Sequence, residues 1–243
     1  MPVAECKLPK DRLWDSLQEL IMFPFGQDEK YQTQAPRTAE QAAASDPALI
    51  ISSDTRRQER IPPGQSRTKK WPVLHYGYVP TIQKENWRLD VFGLVDHPLR
   101  FTWDEYRQLP RVKVFSDFHC VTRWSRLDNV WEGVSTAEII QRAGVQPEAR
   151  YVIAHGYDSG WTTNLPLADF RAPDALLCDT HDGEPISDDH GGPLRLIVPL
   201  LYAWKSAKWL KAIEFVADDQ PGYWEQGGYH NHGDPWTEER FSY

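Results

Sequence analysis

A cysteine, a histidine and two arginines fall together in the run Asp117-Phe118-His119-Cys120-Val121-Thr122-Arg123-Trp124-Ser125-Arg126. Cys120 ends a stretch in which Val112, Val114, Ser116, Phe118 and Cys120 share one face, so it is expected at the end of a strand. The arginines beside it favour the thiolate by charge. A thiolate is a soft donor suited to a transition metal. The competing role for such a cysteine is a small buried hydrophobe. That role suits Cys178, inside the apolar run Ala175-Leu176-Leu177, better than Cys120.

Three further clusters carry chemistry. In Asp188-Asp189-His190-Gly191-Gly192-Pro193-Leu194-Arg195 the glycines allow a close backbone approach, and His190 and Arg195 offer donors to an anion. The same run also reads as a tight turn before a strand. Trp204-Lys205-Ser206-Ala207-Lys208-Trp209 places two lysines and a serine between indoles, suited to a phosphate or a fused heteroaromatic ring, or else to an amphipathic surface strand. His230-Asn231-His232-Gly233-Asp234 holds a His-x-His pair and an aspartate, a sparse set for zinc. No Gly-x-Ser-x-Gly elbow, Walker loop or dinucleotide fingerprint is present.

The elements that must position these groups are short. Leu13, Trp14, Leu17, Leu20 and Ile21 recur at helical spacing before Pro24 and Gly26. The Arg/Lys/Gln/Pro-rich stretch from Ser52 to Lys70, broken at Pro62-Pro63-Gly64, reads as a strap, either a solvated connector or a segment that wraps the domain or lines an anionic ligand. Trp87, Leu89 and Val91 alternate toward Gly93 as a half-buried strand. Thr102 with Glu105 and Ser135 with Glu138 cap two helices, stopped by Pro110 and Gly144. Strands are predicted at 151–155, 175–178, 194–199 and 212–216. Short strands, few helices and long loops indicate an α+β fold with mixed sheets. The expected division is a helical arm and basic strap over 1–70 and the main domain over 71–243.

Composition bounds the function. The 243 residues carry 27 Lys plus Arg against 35 Asp plus Glu, a formal charge of −8, which disfavours nucleic acid and anionic membranes as partners. No apolar segment approaches the roughly 18 residues of a membrane span. Three cysteines are too few for a disulfide framework, and no signal peptide is visible, so a reducing, cytoplasmic setting is expected.

The order His75-Tyr76, His119-Cys-Val-Thr-Arg-Trp-Ser125, His190-Gly-Gly-Pro-Leu-Arg195 and Lys205-Ser-Ala-Lys208 closely resembles the sulfite-oxidase-like molybdopterin oxidoreductases. Their short bacterial members, relatives of the catalytic subunit of the periplasmic methionine sulfoxide reductase, resemble it most. The resemblance runs from about Trp71 to the C-terminus, and implies the molybdopterin-domain fold of that family. It implies Cys120 as the one protein thiolate on molybdenum, beside a pterin dithiolene and oxygen ligands, with Arg123 as a neighbouring catalytic cation. His75, Tyr76, His155, Gly156, His190, Arg195, Ser206, Ala207 and Lys208 are implied as contacts of the cofactor, molybdenum-molybdopterin.

The activity implied is oxygen-atom transfer to or from a small sulfur- or nitrogen-containing molecule through Mo(VI)/Mo(IV) cycling, with an unnamed electron donor or acceptor. Arg123 and Arg126 do not form the adjacent arginine pair of the sulfite oxidases, which argues against sulfite. No twin-arginine signal is visible, so the periplasmic role does not carry over. Two other functions compete: a zinc hydrolase using His230, His232 and Asp234, and a carbohydrate-binding module whose eleven tryptophans stack on sugar rings.

Overall fold

The computed structural model of the chain describes residues 36–242 apart from residue 159. The helix expected over 13–21 and Cys6 lie outside the described residues. Twelve strands are described: β1 (Ile50–Ile51), β2 (Ser66–Arg67), β3 (Arg88–Gly93), β4 (Leu99–Thr102), β5 (Val112–His119), β6 (Trp124–Ser135), β7 (Tyr151–Gly156), β8 (Thr162–Pro166), β9 (Leu176–His181), β10 (Glu184–Pro185), β11 (Arg195–Ile197) and β12 (Leu210–Val216). The helices are short: α1 (Ala39–Ser45), α2 (Trp103–Arg107), α3 (Thr136–Ala143), α4 (Leu167–Phe170) and α5 (Tyr223–Gln226). The fold is α+β with mixed sheets, as the patterning predicts.

One sheet runs β1-β5-β6-β9-β10, with β2 on β6 and β11 on β9; the other runs β4-β3-β12-β7-β8. Strands β1, β2 and β12 pair in parallel with β5, β6 and β3, and the remaining pairs are antiparallel. The predicted caps form. Thr102 accepts from Glu105 N while the Glu105 carboxylate accepts from Thr102 N, and Ser135 accepts from Glu138 N. Gly144 ends α3 at φ 60, a conformation that glycine adopts without steric cost.

Strand β6, at twelve residues, was not predicted. Its buried positions do alternate, but Ser125 and Asn129 occupy two of them beside Leu127 and Trp131, so the apolar period is broken. Those polar side chains are satisfied locally: Ser125 Oγ meets His119 Nδ1 at 2.8 Å, and Asn129 donates to Ser116 O at 3.2 Å. Gly133 lies where β6 crosses β9, and a β carbon there would collide with the Leu177 carbonyl.

The basic strap is not a solvated connector. Ser52 N donates to Phe115 O at 2.9 Å, and Ser66 N and Thr68 N donate to Arg123 O and Ser125 O at 2.8 and 2.9 Å. Arg60 donates to both oxygens of Asp117, at 2.8 and 2.5 Å, and to Asp128 at 3.0 Å. Asp117 is 1% exposed, and burial holds its carboxyl above the ordinary value even though Arg60 offsets part of that cost. Composition shows only that the strap is cationic; its anionic partners lie 57 and 68 residues further along the chain. Arg60→Ala is expected to destabilise the protein by about 3–5 kcal/mol, because a buried carboxylate loses its counter-charge. Urea unfolding measures this, and Arg60→Ala with Asp117→Ala should cost less than Arg60→Ala alone.

Candidate active site

Strand β5 delivers Cys120 to a turn that leads straight into β6; no helix follows it. The turn closes through Cys120 N to Trp124 O at 2.9 Å and Arg123 N to Cys120 O at 3.0 Å. Cys120 faces a cavity at the ends of the two sheets that encloses about 970 Å³, counted out through its open mouth. The sulfur accepts from Thr122 Oγ1 at 3.2 Å, and burial pushes the thiol above its ordinary value.

The cavity also receives His75, Tyr76, Arg195, Ser206 and Lys208, so six of the sequence-derived candidates meet in one place although 133 residues separate the first from the last. Arg195, 2% exposed, donates Nη1 to His190 O at 2.6 Å and Nη2 to Ser206 O at 2.9 Å. Lys208 Nζ donates to Asp189 O at 2.6 Å. Among the described residues neither cation meets a carboxylate. Burial lowers Arg195 to about 10, and burial together with the Arg195 charge lowers Lys208 to about 7. His190 stacks on the cavity residue Trp71 at 3.9 Å and 11°, and burial, then Arg195 and Lys208, bring it to about 4, so the ring is neutral.

Other candidates fall elsewhere. Arg123 is exposed at φ 71, lies outside the cavity, and reaches toward Gly64 O at 3.5 Å. His155 and Gly156 line a separate depression with Asp90, Phe92, Tyr157 and Lys211, where His155 Nε2 meets Glu214 at 3.0 Å. Trp161 stands between that depression and the cavity. Ala207 points into the core, 1% exposed, while its carbonyl accepts from Leu196 N at 2.8 Å. The two glycines do not open toward a ligand. A β carbon on Gly191 would strike Lys208, and one on Gly192 would strike the Ile186 carbonyl, so they serve close chain packing. Lys205 is not a free cation either: it is fully buried against Glu225 at 2.6 Å.

Sequence reasoning missed Asp158 and the aromatic wall of Trp71, Trp161, Trp224 and Tyr229. Asp158 Oδ1 is buried without a hydrogen-bond partner, and burial raises the carboxyl to about 6. Its only signal is a polar pause between two predicted strands. The Arg195 Nε and His190 Nδ1 atoms are likewise buried without a partner. A thiol, two cations without a direct ion pair among the described residues, orphaned polar atoms and flat aromatic walls together fit a planar heterocycle that is anionic at one end and carries a soft metal.

The zinc reading does not survive the geometry. Both ring nitrogens of His232 face carboxylates, Nδ1 to Glu239 at 2.8 Å and Nε2 to Asp169 at 3.1 Å. The Asp169 contact, with help from Glu239 against burial, raises His232 to about 9, so it holds its protons at neutral pH. The His230 Nδ1 atom accepts from the backbone of His232 and Gly233. Nor do the tryptophans form a sugar platform: none of the ten described is exposed.

Residues 76–224 match the family model described as the oxidoreductase molybdopterin binding domain, and the chain belongs to that family. It is 51% identical over 185 residues to the uncharacterized oxidoreductase YuiH of Bacillus subtilis, covering 76% of this chain and 93% of that one. It is 28% identical over 171 residues to the protein-methionine-sulfoxide reductase catalytic subunit MsrP of Ralstonia nicotianae, over 64% of this chain and 51% of the relative. The mitochondrial sulfite oxidase of Drosophila melanogaster is 30% identical over 62% of this chain, a span of only 31% of that protein. Among solved structures, the sulfane dehydrogenase SoxCD of Paracoccus pantotrophus shares the fold, with a TM-score of 0.53 and 23% identity over 58% of this chain and 40% of its own.

Proposed function

We propose that the chain binds molybdenum-molybdopterin in the Cys120 cavity and transfers an oxygen atom to or from a small sulfur- or nitrogen-containing substrate. The observation that carries this is the meeting, in one aromatic-walled cavity, of the Cys120 thiol with Arg195 and Lys208, two cations that form no direct ion pair among the described residues. Cys120 would ligate the metal, and Arg195 and Lys208 would hold the cofactor phosphate through charge-assisted bonds. Asp158 offers an acceptor to pterin N–H groups, and the aromatic walls exclude water from the ring. When bound, the cofactor supplies two-electron Mo(VI)/Mo(IV) chemistry; the protein sets its orientation and surroundings.

Thr122 fixes the direction of the sulfur through its 3.2 Å hydrogen bond. Tyr76, paired with Tyr223 at 4.6 Å, stands partly exposed beside the opening where a substrate would pass. Among the described residues Arg195 is the one arginine that lines the cavity, and Arg123 faces away, which supports a substrate other than sulfite. A cytoplasmic setting, in which Cys120 and Cys178 stay free thiols, is part of this proposal. Protein made in a host that assembles the cofactor should carry one molybdenum and one pterin per chain, measured by elemental analysis and by pterin fluorescence after denaturation. Protein from such a host free of both would overturn the reading.

A further inference from the structure

We propose that Gln65 of the strap and Arg240 of the C-terminal segment are positioning residues that hold the Cys120 turn from behind and so aim its sulfur. The inference rests on Cys120 as the metal ligand. Both residues lie outside the span 76–224 that matches the family model.

The turn's own two hydrogen bonds, Cys120 N to Trp124 O and Arg123 N to Cys120 O, are not all that holds it. Arg123 adopts φ 71, the left-handed region that side chains other than glycine enter only when their surroundings enforce it. The hairpin loop itself favours that conformation, and further support comes from outside the turn. Gln65 Nε2 donates to Cys120 O at 3.1 Å, Ser66 N donates to Arg123 O at 2.8 Å, and Arg240 Nη1 donates to Val121 O at 2.8 Å. Three of the carbonyls between Cys120 and Arg123 are thus fixed by the strap and the C-terminal segment.

Those two segments are joined to each other. Arg240 Nη2 donates to Pro63 O at 3.1 Å, its guanidinium lies 5.0 Å from the Tyr202 ring, and its own carbonyl accepts from His230 N at 3.1 Å. Arg240 is 5% exposed. At Gly64, between Pro63 and Gln65, a β carbon would lie 2.8 Å from Glu238 Oε1 and 3.0 Å from Arg123 Nη1, so strap, turn and C-terminal segment meet with no room to spare.

A metal thiolate is sensitive to such a scaffold. The direction of the Cα–Cβ bond depends on how the backbone around Cys120 is held, and it would decide how the sulfur meets a bound metal. Groups that orient a ligand tune the metal as well as hold it. A single lost hydrogen bond to Cys120 O or Val121 O should therefore change the metal–sulfur bond at full metal loading.

Gln65→Met keeps the length of the side chain and removes its donor; Arg240→Lys keeps the charge and removes the second point of attachment. Each is purified as holoenzyme, and the thiolate-to-molybdenum absorption band and the metal's midpoint potential are recorded at equal molybdenum per chain. In the metal-free protein, the rate of Cys120 alkylation by iodoacetamide is followed by peptide mass. The band and potential are expected to move in both variants, and alkylation to quicken by about threefold or more as the turn loosens. Ile139→Val, in the core of α3, is the control for lost stability and should lower the melting temperature without moving the band.

A parental band, potential and alkylation rate in both variants would overturn the positioning role, as would an equal shift in Ile139→Val. If the parent itself takes up no molybdenum, the function proposed above falls. The alkylation measurement then still decides whether Gln65 and Arg240 hold the turn.

Discussion

Cys120→Ser is expected to fold and to lose at least about 100-fold in turnover, beyond the 10- to 100-fold that removing an outer partner of a metal site costs. The substitution changes little sterically: a hydroxyl occupies nearly the same place and still has Thr122 Oγ1 beside it. What changes is the donor. Burial already pushes the Cys120 thiol above its ordinary value, so only a bound metal can draw off its proton, as coordination does for thiols. A serine hydroxyl is far less acidic and a harder donor, so whether or not it bound it would not give the metal the soft sulfur donor that its reactivity would depend on. The thiolate-to-molybdenum band should vanish, while the melting temperature stays within about 4 °C, the shift that roughly 1 kcal/mol gives at this size.

The comparison variant is Cys178→Ala. Cys178 is fully buried in β9, donates to Thr180 O at 3.2 Å, and is raised by burial to about 12. It should lose packing stability alone, with activity per molybdenum unchanged. Near-parental turnover in Cys120→Ser, with whichever substrate the parent turns over, would remove Cys120 from the metal.

The site was legible where a residue type carries its chemistry wherever the backbone goes. A cysteine among cations, an arginine after a turn and a lysine between tryptophans remain a thiol and two cations in any fold, and their order along the chain survived as a cluster in space. What sequence could not supply was direction. Arg123 is three residues from Cys120, yet its positive φ turns the guanidinium out of the cavity. His155 and Gly156 sit at the end of β7 as the patterning expected, but that strand end opens onto the far side of Trp161. The strap's docking was hidden because its partners, Asp117 and Asp128, read locally as a polar strand position and a turn residue. Strand β6 was hidden for a related reason: buried Ser125 and Asn129 satisfy hydrogen bonds that only the folded sheet provides.

The cationic half of the cavity yields the remaining large effect. Arg195→Ala and Lys208→Ala are expected to lower cofactor occupancy while leaving activity per bound molybdenum close to the parent's. Removing one charged donor from a buried phosphate costs about 2–5 kcal/mol, largely because charge is left unpaired, and about 1.4 kcal/mol is tenfold in affinity. Arg195 should lie at the upper end, since it is 2% exposed and also ties His190 O to Ser206 O, so its loss loosens two walls at once. Lys208, half-buried, with its hydrogen bond to Asp189 O and its Nζ 5.3 Å from the Trp209 ring, should lie at the lower end.

Lys208 adds a dependence on pH. In the ligand-free protein it sits at about 7, lowered by burial and then by Arg195. A dianionic phosphate raises it again, so binding takes up a proton. The added affinity is complete below pH 7 and is lost as pH rises through the higher, bound-state value. Cofactor retention should therefore weaken on the alkaline side in the parent and become flat over that range in Lys208→Ala. Molybdenum per chain, activity per molybdenum and retention between pH 6 and 9 are the measurements. Full molybdenum with low activity per metal would shift Arg195 and Lys208 from holding the cofactor to handling the substrate; unchanged occupancy with an unchanged pH profile would leave them as structural cations only.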